Sequence, residues 1–158
     1  MDSGMSPRDY QALLAEAGLS ATENRLRVLE VVGGNGYPLS AGDIYRILAR
    51  SAPVNRVTVY RILERMVRHG ILERLSTGGR AFHYGLAAIA GQPPHPHFYC
   101  TRCGHMDCLS PASLPLDTTR LQRTFPGQIE KIEIRLDGIC KNCLRKMELE
   151  TGKRRAAP

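Results

Sequence analysis

The stretch His95-Pro-His-Phe-Tyr-Cys-Thr-Arg-Cys-Gly104, answered later by Cys140-Lys-Asn-Cys143, organises the rest of the chain. A Cys-x-x-Cys pair lets two thiolates from one tight turn reach the same ion, and a second pair closes the tetrahedron. One pair alone would say little. Two in a short chain point to a structural zinc site at Cys100, Cys103, Cys140 and Cys143, with no open position for catalysis. The bland alternative, a set of buried cysteines, leaves the repeated spacing unexplained. The long interval between the pairs must hold a strand and a helix.

His95 and His97 stand just ahead of the first pair. In an extended segment, positions two apart share a face, so both imidazoles would aim at one point. This suggests a second metal site, rich in nitrogen and oxygen, beside the closed all-sulfur one. Such a pairing describes a sensor stapled together by a permanent metal. Cys108 shares a strand face with Met106 and reads as a small core residue rather than a ligand.

The 158 residues suit one ordinary domain or two small ones, and small lobes commonly supplement their cores with a metal or a dimer interface. No apolar run is long enough to span a membrane, and the amino terminus lacks a signal-peptide pattern. The expectation is a soluble, cytoplasmic protein with no membrane partner. Five cysteines, four of them in Cys-x-x-Cys pairs, favour metal over disulfides in a reducing compartment. No nucleophile–base pair or two-carboxylate arrangement stands out, so neither an enzyme nor a small-molecule substrate is expected.

A net charge of +7 and a pI near 9.5 fit a polyanionic partner. Before Pro93 every basic residue is arginine; the lysines, Lys131, Lys141, Lys146 and Lys153, all follow it. Arginine suits bidentate contacts to guanine and phosphate, but GC-rich codon usage gives the same bias. Charge alone decides nothing.

Along the chain, Tyr10, Leu13, Leu14 and Ala17 mark a first helix over 7–17, ended by Gly18. Ser20 or Thr22 caps a second, carrying Leu26, Leu29 and Val32 and stopped by Gly33-Gly34-Asn35-Gly36. Ser40 caps a third with Ile44, Ile47 and Leu48 on one face. Asn55 caps a fourth, running to about His69, with Val59, Ile62, Leu63 and Met66 as its buried stripe. The opposite face carries Arg61, Glu64, Arg65 and Arg68, flanked by Thr58 and Tyr60. Residues 71–75 and 80–86 around Ser76-Thr-Gly-Gly79 read as a hairpin.

Short helices followed by a hairpin form a winged helix-turn-helix, in which the last helix enters the major groove. The basic face admits a solvated surface as well, but the cap, the glycine stop and the hairpin together favour double-stranded DNA as partner. Residues Arg56, Thr58, Tyr60, Arg61 and Arg65 are its expected contacts.

The fold class is thus α+β: a winged-helix DNA-binding domain over 1–86, a hinge over 87–94 and a dimerisation and metal-binding domain over 95–150. A disordered basic tail follows over 151–158. Within the third part, strands are expected over 98–100 and 105–109, a helix over 112–125 and a strand over 129–136. In that last strand Ile132, Ile134 and Leu136 alternate with Glu133 and Arg135. Its open edge invites a second copy of the chain, although alternation fits any half-buried sheet.

The order Val57-Thr-Val-Tyr-Arg61, glycine-rich wing, His95-x-His97-x-x-Cys100-x-x-Cys103-Gly104, then Cys140-x-x-Cys143 resembles the ferric uptake regulator (Fur) family of metal-sensing repressors along nearly the whole chain. The resemblance implies a homodimer that binds palindromic operators when a regulatory metal is bound. It also implies that Cys100, Cys103, Cys140 and Cys143 hold structural zinc, and that Tyr60 and Arg61 contact bases and phosphates. His95 and His97 match two regulatory ligands, while His83 and Glu73 fall where members carry further ligands from the wing. An ion shared by these four would bias one domain arrangement over others.

The chain also departs from the family pattern. Ile132 and Pro115 fall where other members place ligands of an additional site, and no histidine precedes His69. The missing head-domain histidine, with Glu73 available, leans the reading towards the zinc uptake regulator (Zur) branch, with Zn2+ as regulatory ion and Fe2+ or Mn2+ as alternatives. Two other readings compete. One is an iron- or peroxide-sensing regulator on the same scaffold; the other is a thiol redox protein exploiting Cys140 at a helix start.

Overall fold

Residues 7–87 and 95–155 are described in this computed structural model. Four helices form where apolar spacing predicts them: α1 (Pro7–Glu16), α2 (Glu23–Gly33), α3 (Ala41–Ser51) and α4 (Arg56–Arg68). The Asp43 N–H donates to the Ser40 side chain at the start of α3, and the Val57 N–H to the Asn55 side chain at the start of α4. Each cap satisfies a donor that a helix start leaves without an intrahelical partner. Thr22 takes the cap position of α2 but makes no side-chain cap.

Leu14 of α1, Val28 and Leu29 of α2, Ile44 of α3, and Val59, Leu63 and Met66 of α4 are fully buried together. Each such side chain contributes roughly 1.5–3 kcal/mol by leaving water. Gly70, at φ +70°, takes the left-handed turn that ends α4 and sends the chain into the hairpin.

That hairpin pairs β2 (Leu72–Ser76) with β3 (Phe82–Leu86), and β3 also pairs with β1 (Leu39–Ser40). The order β1-β3-β2, all antiparallel, is the wing. The two-residue β1 carries no sequence signal of its own; Ser40 serves it and caps α3 as well.

The chain divides into two compact units, Met1–Gln92 and Pro93–Pro158. Of the expected hinge, residues 88–94 lie outside the described residues. The second unit is built on β4 (His97–Cys100), with β5 (Met106–Cys108) antiparallel on one side and β6 (Arg135–Gly138) parallel on the other. Helices α5 (Thr118–Thr124) and α6 (Lys141–Arg155) complete it.

Three expectations for this unit need correction. The helix expected over 112–125 is a 3-10 turn at Pro111–Ser113 followed by a short α5 capped by Asp117. Pro115 is the reason: a residue before proline is pushed out of the helical region, and Leu114 sits at φ −144°, ψ 81°. The strand expected over 129–136 is laddered only from Arg135, because β4 starts at His97, whose N–H donates to the Ile134 carbonyl, and no other described strand pairs with residues 129–133. Within the tail expected to be disordered from 151, α6 continues to Arg155, and the Thr151 hydroxyl donates to the Met147 carbonyl one turn back. Residues 156–158 lie outside the described residues.

Candidate metal centres and nucleic-acid interface

The Cys100 and Cys143 sulfurs lie 3.9 Å apart, and those of Cys103 and Cys140 lie 3.8 Å apart. All four are within 4.8 Å of one another. Sulfurs about 2.3 Å from a tetrahedral zinc are ~3.8 Å apart, so the donor set fits that ion. Two turns deliver the ligands. Gly104, at φ +74°, closes the first, with its N–H on the Cys100 carbonyl. Cys140 and Cys143 come from the start of α6, which β6 places beside β4 through the pairing of Cys100 with Gly138.

Burial raises a thiol's pKa, but the N–H groups of Cys140, Cys103 and Arg102 donate to the Cys100 sulfur and bring it down to about 6. Burial and the three neighbouring sulfurs push Cys143 up to about 12. A dication at the centre relieves the repulsion that four ionised sulfurs would feel.

His95 and His97 also converge, with ring centroids 4.6 Å apart. His97 is 4% exposed, and neither of its ring nitrogens has a hydrogen-bond partner among the described residues. Two such buried nitrogens are costly unless something binds them. Burial, and then the charge of His95, lowers the His97 pKa to about 4, so at neutral pH the ring is uncharged and offers a lone pair.

Cys108 corrects the sequence reading. It is exposed rather than core, because β5 is an edge strand that ends there. Its sulfur lies within 4.8 Å of the His95 and His97 nitrogens.

On the wing, Glu73 pairs with Gly85 and His83 with Leu75. This register puts Glu73 and His83 on one face as diagonal neighbours. His83 is buried and Glu73 half-buried. The four expected regulatory ligands thus form two pairs, Glu73 with His83 in the first unit and His95 with His97 in the second.

Helix α4 turns Tyr60, Arg61, Arg65 and Arg68 outward, with Thr58 half-exposed. Thr58, Arg61, Glu64, Arg65 and Arg68 line a groove of about 380 Å³ with Arg25 of α2. Arg56 does something different: its guanidinium lies over the rings of Tyr45 at 5.5 Å and Tyr60 at 6.0 Å. Attraction to the two ring faces holds the group near Tyr45 of α3 and Tyr60 of α4.

The sequence reading leaves out Arg25 and takes Cys108 for a core residue. Arg25 left no periodic signal, since only helix packing brings it to α4. The face of Cys108 follows from the register: residues equally distant from the Arg102-Cys103 turn pair across the hairpin, and 97 pairs with 108.

A helix-capped winged domain joined to a lobe with a four-sulfur cluster defines a class of metal-responsive DNA-binding regulators. The chain belongs to the Ferric uptake regulator family, whose model matches residues 16–124. It is 31% identical over 137 residues to the ferric uptake regulation protein of Bordetella parapertussis, covering 84% of this chain and 95% of that one. Its fold matches the Vibrio cholerae ferric uptake regulator with TM-score 0.69 and 26% identity, over 82% of this chain and 98% of the other. It also matches a zinc uptake regulator solved with zinc and DNA, with TM-score 0.64 and 21% identity, over 90% of this chain and 95% of the other. Members of the family are dimeric DNA-binding transcription regulators that bind divalent metals, not enzymes. No described helix is long and apolar enough to cross a membrane.

Proposed function

We propose that this chain is a homodimeric repressor that binds palindromic operators when zinc fills a sensory site containing His95 and His97. The observation that carries the reading is the His97 ring, buried, uncharged and with both nitrogens lacking partners, next to a second imidazole. In this reading Cys100, Cys103, Cys140 and Cys143 hold a permanent structural zinc that shapes the lobe. Glu73 and His83 are the wing's share of the sensory ligands. Arg56, Thr58, Tyr60, Arg61 and Arg65 face DNA.

Zinc is favoured by the donor types and by the five histidines, none of which precedes His69 in the helical head. The names of the relatives support iron as the competing ion. A dimer is supported by the second unit's uncovered apolar side chains, among them Leu116 and Phe125 at 50% exposure, Leu121 at 46% and Leu149 at 67%. Residues 129–133, which join no described ladder, supply an edge for a second copy.

The test is operator affinity measured by fluorescence anisotropy against separately buffered free zinc, iron(II) and manganese. Zinc should switch binding on at the lowest free concentration. His97→Ala should abolish the metal response while the four-cysteine zinc remains. Glu73→Ala tests the wing ligands in the same assay and should weaken the response. DNA binding indifferent to a chelator that spares the structural ion would sink the proposal.

A further inference from the structure

We infer that Cys108 supplies a thiolate to the ion held by His95 and His97, making the sensory centre a mixed nitrogen–sulfur site. This rests on the reading of those histidines as sensory ligands and adds to it the donor that sets metal preference. Cys108 lies directly opposite His97 in the β4–β5 ladder, and directly opposed residues share a face of the sheet. His95, two positions before His97, falls on the same side, and the three ligand atoms lie within 4.8 Å of one another. An ion about 2.0 Å from nitrogen and about 2.3 Å from sulfur draws such atoms to ~3.5 Å, which side-chain rotation at an exposed cysteine supplies.

His97 gives the second, independent sign of a ligand here, with two partnerless nitrogens at 4% exposure. Cys108 has no core to fill, since its side chain is exposed at the end of an edge strand. It is also separate from the four-sulfur cluster, whose members are Cys100, Cys103, Cys140 and Cys143. A thiolate beside two imidazoles favours zinc and cobalt(II) over manganese, which prefers oxygen donors.

The experiment uses the full-length protein with one zinc per chain in the four-cysteine site, titrated with cobalt(II). The first equivalent of cobalt should bring an intense near-ultraviolet thiolate-to-cobalt charge-transfer band while the zinc content stays constant. Cys108→Ser should still bind cobalt but lose that band, with zinc affinity at the sensory centre falling at least about tenfold. Cys108→Asp should raise manganese affinity relative to zinc. Cobalt that binds wild-type protein beside the zinc without the band overturns the thiolate while leaving the histidine reading standing. No cobalt bound beside the zinc overturns both.

Discussion

The Cys103 sulfur lies 3.8 Å from the Cys140 sulfur although 37 residues separate the two in the chain. The Cys100–Cys143 pair, at 3.9 Å, and the β4–β6 ladder beside it tie the same distant segments together. Cys143→Ser should therefore release about one zinc per chain, measured by elemental analysis. It should also abolish the cooperative unfolding of the second unit, because binding a structural zinc is largely what folds so small a lobe. Circular dichroism should show the helices of the first unit retained.

Arg61→Ala removes an outward guanidinium from α4 without touching the core stripe of Val59, Leu63 and Met66. Operator affinity at fixed salt should fall by about 1–3 kcal/mol if the side chain reads a base edge, or almost equally for all sequences if it meets phosphate. Zinc content and melting temperature should not move. A loss of folding would place Arg61 in the packing instead.

At the start of α3, Ser40 accepts from the Asp43 N–H and donates to its carboxylate, which also pairs with Arg46. Burial acts to raise the Asp43 pKa, but the hydrogen bonds from Ser40 and Arg46 outweigh it and hold the carboxyl below its ordinary value. A depressed folded pKa stabilises above the unfolded value, and that stability is lost as pH falls through the folded one. Ser40→Ala should cost about 1 kcal/mol at neutral pH. Denaturant titrations should show the difference narrowing once the pH drops below the ordinary carboxylate range.

Gly33→Ala tests the packing of α1 on α2. Glycine-to-alanine changes inside helices usually stabilise by about 1 kcal/mol. Here a methyl group would sit 2.1 Å from the Tyr10 hydroxyl and 3.1 Å from Leu86, and Tyr10 is only 3% exposed. The expected outcome is a destabilisation of about 1–3 kcal/mol by thermal or urea unfolding. A more stable variant would mean that Tyr10 swings away freely.

The first unit was legible in sequence because its signals are local. Ser40 and Asn55 cap within three residues, and the stripe of α4 repeats with the helix itself. The second unit was harder because its order is long-range. Residues 129–134 alternate like a strand, yet among the described residues no strand is laddered with 129–133, and only the Ile134 carbonyl meets β4, through the His97 N–H. The apolar spacing around Pro115 predicts a helix, but the proline pushes Leu114 out of the helical region and interrupts it. The four cysteines declared themselves through spacing, whereas Cys108 needed a register. A lone cysteine in sequence has no face until the strand opposite it is known.

Strand β4 has His97 at one end and Cys100 at the other. Roughly 10 Å of pleated backbone separates them, too stiff a span for one end to settle while the other wanders. The two centres should consequently fill in a fixed sequence, sulfur first, with the histidines aligned only afterwards. A preparation starved of its resident ion would then behave as deaf to the signalling one, even with every sensory ligand intact.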